Sequence, residues 1–231
     1  MLHGNDTMAS KKEDVIRNYK KISDELGIDY NKIIRPYQTH TDNIKCVNND
    51  VDSINIFPKE YWEVDGLLTN KKEVILSLGY ADCIPLFFYD PVKKVIGNIH
   101  SGWKGTLQKI GQKAVYKMID VYDCNPDDII CCIGPSIRKC HFEVEKDVYT
   151  LFYNEFLYTN KIEDIIQDVS NGKYYIDTVL INKIILEEAG LKKENIIDSG
   201  ICTACNYDIM HSYRVKGNMA GRNTAIIGLK N

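Results

Sequence analysis

Apolar and polar residues alternate in blocks along this chain, and the period of each block predicts an element. Within 10–26, Val15, Ile16, Tyr19, Ile22 and Leu26 recur at helical spacing, and Gly27 is a stop signal. Ile33-Ile34 then lead into Gln38-Thr39-His40. The runs 65–69 and 74–78 predict two strands around the polar turn Asn70-Lys71-Lys72. Strand-like runs at 84–89 and 95–99 flank Asp90-Pro91-Val92-Lys93, a turn signal, and predict an antiparallel hairpin. His100-Ser101-Gly102-Trp103-Lys104-Gly105 breaks the strand pattern and opens a helix to about Tyr122, with Leu107, Ile110, Ala114, Val115, Met118 and Ile119 facing inward. Residues 129–133 form an apolar strand ending at Gly134-Pro135, 144–156 and 178–189 read as helices, and Gly190 stops the second. Ile196-Ile197 and 224–229 are further short strands. Strands and helices are interleaved without repeat or low-complexity linker. The expectation is an α/β protein, a single domain over 1–231 with mixed β-sheets and packed helices.

The hairpin has a chemical consequence. If its turn is a four-residue loop with Tyr89 opposite Lys94, the same register sets Cys83 opposite His100. They would be direct cross-strand neighbours on one face, with Cβ atoms roughly 4.5–5.5 Å apart. A thiol beside an imidazole suits either a shared metal or a nucleophile–base pair. Asp82, adjacent in sequence, points to the other face and is a poor third member of such a dyad.

Composition narrows the setting. The chain has 231 residues, a net charge of −3 and acidic and basic residues interspersed throughout, so no basic stripe points to nucleic acid or an anionic membrane. Residues 11–26 are charged and amphipathic, with no signal core, and no stretch approaches ~18 apolar residues; a cytoplasmic protein is the simplest expectation. Eight cysteines, two of them side by side at Cys131-Cys132, read as buried free thiols or metal ligands rather than disulfides.

The strongest strings, in order, are Gln38-Thr39-His40, Asp65-Gly66-Leu67-Leu68-Thr69, Ala81-Asp82-Cys83-Ile84-Pro85, Asn98-Ile99-His100-Ser101-Gly102-Trp103-Lys104-Gly105, Ile133-Gly134-Pro135-Ser136-Ile137, and Ser212-Tyr213-Arg214 followed by Gly221-Arg222. This series resembles the bacterial YfiH/YlmD family of laccase-domain or polyphenol oxidase proteins, which includes zinc-dependent purine nucleoside phosphorylases. The resemblance runs from about residue 3 to 229 and implies a YfiH-like fold. It implies three metal ligands, His40, Cys83 and His100. Three N/S ligands with one open position is the catalytic form of a zinc site, the open position holding a water or hydroxide. It also implies phosphorolysis of adenosine or inosine to base and ribose 1-phosphate, with methylthioadenosine phosphorolysis and adenosine deamination as side activities. Family members usually begin with additional sequence, whereas Leu2-His3-Gly4-Asn5-Asp6 enters the pattern late, so the resemblance implies an altered or incomplete start here.

For the phosphate such a reaction needs, the strand-to-helix junction at Ser101 and Gly102, with Lys104 adding charge, is a candidate anion site, since free N–H groups and the helix dipole favour anions. Arg214 and Arg222 are further candidates because a guanidinium grips phosphate in a bidentate fork.

Other readings compete. His141-Phe142-Glu143 with Cys202-Thr203-Ala204-Cys205 partly matches a zinc nucleobase deaminase, but Ile201 stands where the motif has proline. Packing or a weak redox pair is the plainer reading of those two cysteines. The five histidines (3, 40, 100, 141 and 211) include no His-x-His, so the multicopper oxidase cluster implied by the family's name cannot assemble, although a single copper at His40, Cys83 and His100 suits N/S ligands. The remaining alternatives are a metal-free cysteine hydrolase using Cys83 and His100, and a non-catalytic metal-binding protein.

Overall fold

The computed structural model describes residues 5–48, 55–72, 74–169 and 171–230. Leu2-His3-Gly4, on which the expectation of a late entry falls, lie outside them.

The elements form three sheets. A six-stranded sheet runs in the order β12 (Ile196–Asp198), β8 (Ile130–Ile133), β6 (Ile84–Asp90), β7 (Val95–Ser101), β4 (Gly66–Thr69) and β2 (Ile44–Cys46). A four-stranded sheet runs β13 (Asn223–Gly228), β5 (Ile75–Tyr80), β1 (Ile33–Arg35) and β3 (Asn55–Ile56). A small sheet joins β10 (Ile166–Asp168), β11 (Lys173–Ile176) and β9 (Glu143–Glu145). Parallel and antiparallel pairs occur in both larger sheets, as the mixed α/β expectation requires.

Every residue of β7 is buried, because the strand is covered on both faces. Val95 and Ile99 point to a core with Leu86 and Phe88 from β6 and with Ile110, Ala114 and Met118 of helix α3 (Ile110–Tyr122). Ile96 points the other way, into a core with Ile34, Leu67 and Leu76 between the two larger sheets. Asn98, on that second face, donates to the carbonyls of Leu76 and Ala225 across the gap. Alternation therefore places His100 on the inter-sheet face, at the strand's last turn before the helices.

Helix α6 (Thr178–Glu188) joins two cores. Val179 and Leu186 pack with α3, while Ile181, Ile184 and Ile185 pack against Phe152 and Phe156 of helix α4 (Lys146–Phe156), the short helix α5 (Ile162–Ile165) and the small sheet. Helix α1 (Asn5–Leu26) lays Val15, Ile16 and Tyr19 over Ile33 and Ile75.

Four sequence expectations are corrected. The hairpin register is displaced by two: Pro85 pairs with His100 and Asp90 with Val95. Asp90 is the last strand residue, its carboxylate accepting the N–H groups of Val92 and Lys93, so the loop is 91–94. The helix opened after His100 is two helices, α2 (Trp103–Leu107) and α3, broken where Lys109 adopts a left-handed φ of 55°. The run 144–156 begins as β9 before turning into α4. Leu26 is 59% exposed, because the chain turns at Gly27 (φ 62°).

Candidate metal centre

His40, Cys83 and His100 come from three separate segments and meet at the end of the gap between the sheets. One donor atom from each lies within 4.8 Å of the others. Cys83 stands just before β6, two residues ahead of the Pro85 that opposes His100, so thiol and imidazole are diagonal rather than direct neighbours. A displacement by an even number of residues keeps both on one face, which is why the pairing survives the register error. Cys83 packs with Leu78, Tyr80 and Ala225, and its Sγ is 3.8 Å from His40 Nε2. Glycine at 102 makes the room: a Cβ there would lie 2.8 Å from His40 Cδ2 and 3.3 Å from Cys83 Sγ.

Asp65 organises the ligands and was not assigned a role from sequence. Its Oδ1 accepts the His100 Nδ1–H at 2.8 Å, which leaves Nε2 of that ring as the free donor. The same carboxylate accepts the backbone N–H groups of Thr39, His40 and Thr41 and the Thr41 hydroxyl. These bonds hold His40 in its left-handed conformation (φ 63°). The signal for Asp65 lay in strand pairing. Gly66 opposes Ile99, so the next step sets Asp65 opposite His100, and the His100 N–H indeed donates to the Asp65 carbonyl at 2.7 Å.

Asp82 faces away from the site, as expected. In a backbone conformation of φ 82°, it accepts the Thr203 hydroxyl and the Arg214 N–H, both at 2.6 Å. It thereby fixes the bend that presents Cys83.

The electrostatics follow from this packing. Burial alone would raise the Cys83 thiol, but the charge and hydrogen bond of His100, with those of His40, outweigh it and bring the thiol down to about 6. Burial would lower His100, yet Cys83 and Asp65 hold it up. Burial likewise opposes ionisation of Asp65, but its bonds from His100 and Thr41 keep it below the usual carboxylate range.

The donor set suits a metal. Tetrahedral bonds of ~2.3 Å to sulfur and ~2.0–2.1 Å to nitrogen place such atoms about 3.6 Å apart, close to the Cys83–His40 separation. Three soft-to-borderline donors with an oriented imidazole match zinc or copper(I) better than a hard cation.

The three residues line a cavity of about 890 Å³ with aromatic walls from Tyr37, Phe57, Trp103 and Phe142. Arg214 and Arg222 line it too, as does Arg35, which sequence reasoning missed and whose Nε is buried without a hydrogen-bond partner. Burial pushes the Tyr80 phenol, on the same wall, up to about 12, so it stays a hydrogen-bond donor at neutral pH. The other anion candidates are arranged differently. Ser101 Oγ is engaged inward, with Thr106 and Asn182. Gly102 caps only the five residues of α2. Lys104 lies over the Trp103 ring and outside the cavity lining. The three ligand positions of the deaminase motif, His141, Cys202 and Cys205, do gather, together with Cys140, but Glu143, which the motif needs as its acid/base, lines this other cavity.

A metal-ready His/Cys/His site at the mouth of a two-sheet α/β sandwich defines the class of protein. The chain belongs to the laccase-domain family: the family model described as "Multi-copper polyphenol oxidoreductase laccase" matches residues 2–230. It is 34% identical over 228 residues to "Purine nucleoside phosphorylase YlmD" of Bacillus subtilis, covering 95% of this chain and 79% of that one. It is 29% identical over 200 residues to "Adenosine deaminase RL5" from an unknown prokaryote, covering 86% of this chain and 75% of that one. The crystal structure of the Bacillus licheniformis hypothetical protein YfiH superposes with a TM-score of 0.86 at 34% identity, over 94% of this chain and 81% of that one. No helix among the described residues is long and apolar enough to cross a membrane.

Proposed function

We propose that this chain is a purine nucleoside phosphorylase, acting on adenosine or inosine and phosphate, with zinc held by His40, Cys83 and His100. The observation that carries the reading is the Asp65-organised donor triad opening on a cavity with aromatic walls and three arginines. A zinc ion held by these three residues would supply a Lewis acid at the cavity's edge.

The protein's own side chains do the rest. In phosphorolysis a phosphate oxygen bonds to C1′ of the ribose while the C1′–N bond breaks, and the departing base takes up a proton. Arg35, Arg214 and Arg222 offer the positive charge that holds phosphate, and the unpartnered Arg35 Nε is a donor without another use. Tyr37, Phe57 and Phe142 offer faces for a purine ring. The Tyr80 hydroxyl is a donor for the base or a sugar oxygen. Deamination, the activity named for one relative, is a different step: water adds at C6 of the adenine ring, the C6–N bond breaks and ammonia leaves.

The test is release of free base from adenosine and inosine, with and without phosphate, by protein of measured zinc content. His40→Ala should lower zinc occupancy and cut turnover by more than the ~10–100-fold typical of losing an outer-shell partner. Equal turnover in wild type and His40→Ala would overturn the reading.

A further inference from the structure

A second group of metal-binding side chains stands apart from the cavity. Cys140 and His141 lie in the turn that follows the 134–139 segment, and Cys202 and Cys205 lie in a Cys-x-x-Cys turn after β12. Their segments run side by side: Ser136 bridges to Cys202, its N–H donating to the Ile201 carbonyl and its carbonyl accepting the Thr203 N–H. One donor atom from each of the four residues lies within 4.8 Å of the rest.

The separations have a pattern. Cys140 Sγ is 3.8 Å from both Cys202 Sγ and Cys205 Sγ. His141 Nδ1 is 3.2, 3.8 and 3.5 Å from the sulfurs of Cys140, Cys202 and Cys205. A tetrahedral zinc with Zn–S of ~2.3 Å and Zn–N of ~2.0–2.1 Å has edges of about 3.8 Å between sulfurs and about 3.6 Å between sulfur and nitrogen. A disulfide needs ~2.05 Å between two sulfurs and would leave the third thiol and the imidazole unexplained. These five separations, all between 3.2 and 3.8 Å, are instead close to those of donors around one central atom.

We propose that Cys140, His141, Cys202 and Cys205 bind a second zinc ion in a closed, four-coordinate structural site. Three thiolates and one imidazole leave no position for substrate, and tetrahedral sulfur–nitrogen donor sets select zinc. The ion would pin the 134–142 segment to the 201–206 turn. Both hold Asp82: the Ile137 N–H donates to its carbonyl and the Thr203 hydroxyl to its carboxylate. The second zinc therefore stiffens the bend that carries Cys83 without touching substrate.

Zinc counting on the full chain, purified with a reductant, tests this. Wild type should hold two zinc ions per chain, Cys83→Ala one, and Cys140→Ser/Cys205→Ser one. Those two cysteines are exposed, so the double substitution leaves no core cavity. Because a structural site can be needed for folding, a second readout uses wild type alone. Alkylation mapped by mass spectrometry should find Cys140, Cys202 and Cys205 protected together when zinc is bound and reactive together after chelation. With cobalt(II) substituted, the double variant should lose most of the thiolate-to-metal charge-transfer absorbance and Cys83→Ala the smaller part. One zinc per wild-type chain, lost in Cys83→Ala and kept in the double variant, would overturn the inference while leaving the proposed function intact. One zinc lost only in the double variant would sustain it and sink the reading of His40, Cys83 and His100. Iron with sulfide, a Cys202–Cys205 disulfide in reduced protein, or alkylation of Cys140 and Cys205 indifferent to zinc would also overturn it.

Discussion

At the residue scale the site depends on one carboxylate. Asp65 accepts five hydrogen bonds, from His100, three successive backbone N–H groups and the Thr41 hydroxyl. Asp65→Asn replaces one acceptor oxygen with an amine that faces donors. The His100 ring and the left-handed His40 loop then lose their orientation, and zinc affinity or activity should fall about 10–100-fold while the fold persists. A chelator competition alongside circular dichroism measures both. Cys83 gives a second expectation. With its thiol brought down to about 6, the metal-free protein should be alkylated at Cys83 with a rate that rises through that pH, well below the ~8.5 of a free cysteine. The sign follows from the direction of the shift: the thiolate is the reactive form and predominates above the lowered value. Thiolate and imidazolium titrate as a pair, so the midpoint belongs to both. Zinc-loaded protein should be protected. A protein that is isolated free of metal, alkylated at Cys83 and inactivated by it would favour the cysteine-hydrolase dyad over the metal site.

At the element scale the decisive unit is the β6–β7 hairpin. Its existence, its strands and the shared face of Cys83 and His100 are legible in alternation alone. Its register is not, because Asp90 can either open a turn or end a strand while its side chain caps the loop. Both choices preserve parity, so the pair was found for a reason that was only partly right. His40 was different: no local pattern links 40 to 83, and only the order of motifs along the chain drew it in. Of the second cluster, His141, Cys202 and Cys205 stand out as a partial motif, but Cys140 and the meeting of the two segments are not legible, since a parallel bridge between 136 and 202 leaves no periodic trace. Gly102, just past the end of β7, is a tightly constrained position, beside Cys83 and against His40. Gly102→Ala forces a methyl 2.8 Å from the His40 ring. His40 is exposed and on a loop, so it gives way before the sheet does. Zinc occupancy of the His40 site should therefore drop with little change in melting temperature. A Tm loss with full zinc retention would show that the strain is absorbed elsewhere.

At the scale of the whole molecule, two sheets and a helical layer converge on strands too fully buried to move, and the site occupies the end of that rigid stack. The outer strand β12 needs a separate anchor, and Asp198 supplies it. The Arg138 guanidinium grips its two oxygens at 2.6 and 3.0 Å, and Lys183 of α6 adds a third contact at 2.7 Å. One carboxylate thus ties together β12, the 134–142 segment and the helix shared by two cores. Burial would raise this carboxyl, but Arg138 and Lys183 outweigh it and hold it far below the usual range. A lowered folded-state value contributes stability above the unfolded pKa of ~3.9 and loses it as the pH falls below. Asp198→Asn removes the charge while keeping the shape. It should cost about 2 kcal/mol at neutral pH, within the range for hydrogen bonds to charged groups. For a chain of this length that is roughly 4–8 °C in Tm. The difference from wild type should shrink as the pH is lowered below about 4, because Asp198 in the unfolded chain then takes up a proton that the folded carboxylate still refuses. Thermal melts of both proteins from neutral to acid pH measure the gap, and a gap that stays constant would show that Asp198 acts through its shape rather than its charge.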